Sequence, residues 1–143
     1  MRIGITGSSG FLGSHLTKAL RQYTDAEVTV LRRKSSENFP AINELNSFVH
    51  GLDLIYHIAG VNRGTNDEIL RGNVEATFNL VEAIKKSRKP SPRIVFASSS
   101  QVYKPLAKSG KVINESHTTE PETLFGLTKK TPYQTRDAQQ PKW

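Results

Sequence analysis

Cysteine is absent from the 143 residues, which excludes a disulfide framework and thiolate metal sites, and no metal site of another kind is expected. Long apolar runs are missing too, since none approaches the roughly 18 residues of a membrane span. No basic segment followed by an apolar one marks a secretory signal, so a soluble protein of the reducing cytoplasm is the expectation. The net charge of +7 calls for an anionic partner. The basic clusters Arg32-Arg33-Lys34, Lys85-Lys86 and Arg88-Lys89 contain no interleaved aromatic residues. Nor is there zinc-ligand spacing or an RNA-recognition motif, which argues against nucleic acid and leaves a dinucleotide phosphate as the better candidate.

What is present alternates between two periods. "RIGIT" (residues 2–6) is a short β-rich run followed at once by "GSSGFLG" and then by Phe11, Leu12, His15, Leu16, Ala19 and Leu20 at helical spacing. "EVTVLRR" (27–33) reads as a second strand, "AINELNSFVHG" (41–51) as a short helix ended by Gly51, and "LDLIYHIAG" (52–60) as a buried strand. The strongest helix spans 65–86, opened by Thr65 and Glu68 in capping-box spacing, with Leu70, Val74, Phe78 and Val81 along one face. "RIVFASSS" (93–100) is a further strand, 101–121 a long polar stretch, and a last helix starting near Pro121–Glu122 carries Lys129.

This order predicts an α/β fold, a Rossmann-type doubly wound parallel sheet with ligands at the C-terminal rim of its strands. Only about four strands can be counted, so the chain reads as the N-terminal part of such a fold, cut short. Residues 1–130 are expected to form the dinucleotide-binding domain and 131–143 an irregular tail.

In "TGSSGFLG" the three glycines have distinct tasks. Gly7 permits the tight turn, Gly10 lets backbone approach a pyrophosphate, and Gly13 lets the helix pack on the strand. Together with Ser9, Phe11 and Leu12 they form the expected phosphate cradle at a helix N-terminus. An acidic residue at the end of the second strand would bind a ribose 2′-hydroxyl, but Arg32 and Arg33 stand there. Guanidinium groups can hold a 2′-phosphate, which makes NADP the expected cofactor and NAD the second choice. A merely solvated basic loop remains the plain alternative.

"TGSSGFLG", "GLDLIYHIAG", "GNVEATFNLVEA", "RIVFASSSQVY" and "PETLFGLTKK" together resemble, in order and spacing, the extended short-chain dehydrogenases that act on nucleotide sugars as epimerases, dehydratases and reductases. The resemblance spans residues 2–130. "HIAGVNR" and the short connection before Asp53 look most like capsular-polysaccharide members that epimerise or reduce UDP-sugars. It implies that Ala59 and Gly60 lie along the ribose and nicotinamide, that Asn73 fills the family's asparagine position, that Ser99 orients substrate, and that Lys129 holds the nicotinamide ribose and assists proton transfer. It further implies a nucleotide-sugar substrate and a homodimer formed through the helix at 65–89. His57 reads as a satisfied core histidine.

One residue breaks the pattern. A tyrosine four positions before the lysine would be the family's acid–base group, its phenol acidified by the lysine charge, and Phe125 stands there instead. Tyr23, Tyr56, Tyr103 and Tyr133 are followed at that offset by Glu27, Gly60, Ala107 and Asp137, so no other Tyr-x-x-x-Lys exists. Two readings of function follow: a cofactor-binding domain with impaired oxidoreductase chemistry, or a non-catalytic sensor or interaction module that uses cofactor binding.

Overall fold

The computed structural model describes residues 1–32, 40, 42–87, 91–106 and 112–137. Four parallel strands, β1 (Arg2–Thr6), β2 (Glu27–Val30), β3 (Leu54–His57) and β4 (Arg93–Phe96), form one sheet in the order β2-β1-β3-β4. After β1 the chain steps outward to β2 and then returns past β1 to β3. That reversal opens a crevice between the C-terminal ends of β1 and β3, the place where open α/β sheets take their ligands.

The helices are α1 (Phe11–Tyr23), α2 (Ile42–Val49), α3 (Asn66–Leu70), α4 (Ala76–Lys86) and α5 (Leu124–Asp137). A π-helical turn, Arg71–Glu75, joins α3 to α4. The capping box expected from the sequence is present: Thr65 Oγ1 accepts from Glu68 N, and Glu68 accepts from Thr65 N. Gly51, at φ 70°, follows α2 in the left-handed conformation that favours glycine.

Strand alternation decides what packs where. Ile55 and Ile94 are paired in register and face α2 and α4, where Leu45, Phe48, Val49, Leu52, Leu80, Ala83 and Ile84 complete the main core. Gly4 shares that face because a side chain there would strike Leu52 and Phe48. Ile3 and Ile5 point to the opposite face, which α1 covers.

The elements differ from the sequence expectation mainly at their ends. The second and third strands are shorter than the apolar runs suggested, because their flanking residues turn into rim loops. Within the long helix the buried side belongs to Ile69, Asn73, Ala76, Thr77, Leu80, Ala83 and Ile84, whereas Leu70 and Phe78 are 44% and 60% exposed. α5 runs on to Asp137, so helical backbone continues where 131–143 reads as irregular, and 138–143 lie outside the described residues.

Leu80 is fully enclosed in the α2–α4 core. Leu80→Ala should lower unfolding free energy by about 2–5 kcal/mol in urea denaturation. Phe78→Ala, on the exposed side, should change monomer stability by no more than about 0.5 kcal/mol.

Candidate cofactor site at the β1–β3 crevice

The site begins with backbone that no side chain crowds. Gly7 follows β1 at φ 74°, and a Cβ there would lie 2.6 Å from Ala59 N, so the first turn and the turn after β3 touch backbone to backbone. Gly10 N donates to Gly7 O at 3.1 Å and closes the turn. A Cβ on Gly13 would collide with the Gly7 carbonyl, which is why α1 can begin so close to the strand. Gly10 differs from both, since a Cβ there would meet only Gly7 O at 3.4 Å, leaving its outer side open.

Gly10 is also the N-cap of α1, with no side-chain cap and no acidic residue in the first turn. The amides of the first turn and the positive end of the helix dipole are therefore available to an anion. Phe11 and Leu12, in that turn, are exposed, as is Ser9. A dinucleotide pyrophosphate fits this donor set and the open side of Gly10.

On the β3 side, Ala59 and Gly60 form the rim. Asn73, carried inward by the π-helical turn, binds that rim twice: its Oδ1 accepts from Val61 N at 2.9 Å and its Nδ2 donates to Val61 O at 2.8 Å. Nδ2 also donates to Thr128 Oγ1 on α5 at 3.0 Å, and Thr128 in turn donates to Phe125 O. One amide thus joins the rim loop, the long helix and the lysine helix. A Cβ on Gly60 would lie 2.7 Å from Lys129 Nζ and 2.8 Å from Asn73 Oδ1, so this glycine makes room for both.

Lys129 is 5% exposed. Its Nζ stands 5.0 Å from the Phe96 ring centre and 5.8 Å from that of Phe125, and burial lowers its pKa. The Phe125 ring keeps the aromatic face beside the amine but offers no titratable oxygen. Ser99 is half-buried after β4, and its Oγ accepts from Gln101 N at 3.2 Å to cap a short 3₁₀ turn, Ser100–Val102. Its hydroxyl proton remains to be donated elsewhere. Arg32 is exposed just beyond β2, whereas Arg33 lies outside the described residues.

The fully buried His57 bridges two threonines, Nδ1 to Thr6 Oγ1 at 2.6 Å and Nε2 to Thr77 Oγ1 at 3.0 Å. Burial, helped by the Lys129 charge, lowers its pKa to about 3. The core reading of His57 accounts for its burial, but no local spacing pointed to its threonine partners. The roles of Thr6 and Thr77 carry no local signal, because their shared partner, His57, lies far away along the chain.

The model of the NAD dependent epimerase/dehydratase family matches residues 3–139. The chain belongs to this family. Over 102 residues it is 33% identical to a UDP-2-acetamido-2,6-beta-L-arabino-hexul-4-ose reductase of Pseudomonas aeruginosa, covering 71% of this chain and 26% of that protein. A short-chain dehydrogenase/reductase superfamily protein from Agrobacterium tumefaciens, solved with bound NAD, superposes with a TM-score of 0.76 at 26% identity, over 94% of this chain and 43% of that one. The UDP-glucuronic acid 4-epimerase of Bacillus cereus, in complex with NAD, gives a TM-score of 0.79 over 96% and 52% of the two chains. At 21% identity that likeness concerns fold alone. The chain thus spans about half the length of these structures and a quarter of the reductase.

These neighbours correct the cofactor expectation. NAD occupies the Agrobacterium and Bacillus structures and further similar ones, while NADPH occurs in a Pseudomonas aeruginosa protein, so the preference for NADP read from Arg32 and Arg33 is overturned. The physical reason is that a guanidinium also donates to ribose hydroxyl oxygens, more weakly than to a phosphate but without needing one. Its sign alone does not demand the extra charge. Among the described residues no helix is long and apolar enough to cross a membrane, and no group of metal-ligating side chains is gathered.

The lowered pKa of His57 has a testable sign. The native ring stays neutral down to about 3, whereas the unfolded ring takes up a proton below its ordinary 6.5. The contribution to stability is therefore complete above pH 6.5 and is lost as pH falls through this window, by up to about 1.4 kcal/mol per unit. Urea midpoints should fall from pH 7 to pH 5, and the slope should shrink in His57→Gln.

Proposed function

We propose that this chain is an NAD-binding domain of the epimerase/dehydratase family, in which Gly7, Ser9, Gly10, Phe11, Leu12 and Gly13 hold the pyrophosphate, Arg32 and Arg33 flank the adenosine ribose, and Ala59, Gly60, Asn73 and Lys129 hold the nicotinamide half. The observation that carries it is the meeting of side-chain-free backbone at Gly7 and Gly60 with a buried lysine that, among the described residues, pairs with no carboxylate, all in one crevice. NAD, when bound, supplies hydride-transfer chemistry. Lys129 would donate to ribose hydroxyl oxygens, and Ser99 would donate to a substrate oxygen.

Calorimetry with NAD tests this directly. Gly10→Val should weaken NAD binding at least about tenfold by filling the open side of the turn. It should change stability by no more than about 1 kcal/mol, because its Cβ meets only the Gly7 carbonyl. Undiminished binding would refute the cradle.

Turnover is a separate matter. Phe125 supports the second reading, a non-catalytic module that responds to the cofactor, since acid–base help is worth about 10²–10⁴-fold where it operates. These 143 residues span about half the length of the similar structures, and turnover needs a nucleotide sugar held close to the nicotinamide as well as an acid–base group. The unmodified chain should therefore show no turnover of UDP-sugars with NAD or NADH, and Phe125→Tyr should not restore it. A gain of about 10²-fold in that variant would favour an enzyme impaired by one missing hydroxyl.

The same reading includes self-association. Leu70, Val74 and Phe78 form an apolar strip flanked by Arg71 and Glu75, and α5 adds the exposed Leu127. A two-fold dimer would cover the strip and allow Arg71 of one copy to approach Glu75 of the other. Light scattering should give twice the 15.9 kDa monomer mass, and Phe78→Glu should return it to the monomer.

A further inference from the structure

The two threonines around His57 determine where its protons are. Thr77 Oγ1 donates its single proton to Asn73 O at 2.5 Å, so it can only accept from the ring, and His57 must carry its proton on Nε2. The neutral ring then accepts at Nδ1 from the Thr6 hydroxyl, whose oxygen accepts from Ala59 N at 3.2 Å. Every donor runs the same way: Ala59 N–H to Thr6, Thr6 to His57, His57 to Thr77, Thr77 to Asn73 O.

The two ends of this chain are the two residues that frame the nicotinamide half of the crevice. Ala59 opens the rim, and Asn73 holds the rest of it through Val61. Asn73 lies within the π-helical turn, and Thr77, one turn on, pins its carbonyl. We infer that His57, held as the neutral Nε2–H form between Thr6 and Thr77, is a positioning residue that sets the spacing between the Ala59–Gly60 rim and Asn73, and so tunes affinity for the nicotinamide half of NAD while leaving the adenosine phosphates untouched. This rests on the NAD reading of the crevice.

Two ligands separate that role from core filling. ADP engages the glycine turn alone, whereas NAD also reaches the rim. His57→Gln keeps a donor toward Thr77 but places its acceptor oxygen differently from the ring Nδ1, which weakens the link to Thr6. It should weaken NAD about tenfold and ADP less than about twofold. Thr77→Val, nearly isosteric, should do the same from the other end of the chain if the histidine variant folds poorly. In the unliganded wild-type protein at pH 7, ¹⁵N NMR should find the His57 ring protonated on Nε2 and bare on Nδ1. A ring protonated on Nδ1 or on both nitrogens overturns the inference, as does an equal loss of ADP and NAD affinity or no loss of either. If the wild-type chain binds ADP and NAD equally, or binds neither, the NAD reading itself falls and the positioning role with it.

Discussion

The side chain of Asn73 ties together three separate segments: the rim loop, the long helix and the lysine helix. Its oxygen and nitrogen satisfy the backbone of Val61, and its remaining donor reaches Thr128, so a single buried amide fixes rim, long helix and lysine helix at once. A buried amide with all these groups paired stabilises modestly, but one left unpaired costs on the order of 1–3 kcal/mol for each orphaned partner. That asymmetry makes the arrangement nearly all-or-none. Lys129 depends on it, because Thr128 is the preceding residue and Gly60 gives Nζ its space.

Around this point the fold divides its tasks between two kinds of contact. Apolar burial between α2, α4 and one sheet face forms the main core. The crevice itself is built from backbone approach at glycines and from hydroxyl and amide pairs, which specify position more than they stabilise. Lys129 is the exception in both respects. It is a cation buried against two aromatic rings, with burial drawing its pKa down, and Phe125 maintains that environment without the phenol that would exploit it.

The parallel sheet, the glycine turn and the Thr65 cap were legible because each rests on local spacing: period two, glycines three apart, and a threonine three residues before a glutamate. The long helix was legible as a helix but not as the carrier of a π-helical turn, since that turn depends on Asn73 finding partners 12 and 55 residues distant. The same long-range pairing hid the roles of Thr6 and Thr77. At α5, residues 131–143 show no usable periodicity and read as a loose tail, yet helical backbone continues to Asp137. The cofactor was misjudged for another reason: charge at the end of β2 was read without the geometry that would decide what it meets.

Amide hydrogen exchange with and without NAD tests the central claim that one crevice between β1 and β3 holds the dinucleotide. Added protection should be concentrated in residues 7–13 and 59–61 and at Asn73, with the α2–α4 core unchanged. Protection confined to other segments, or no change at saturating NAD, would contradict the account.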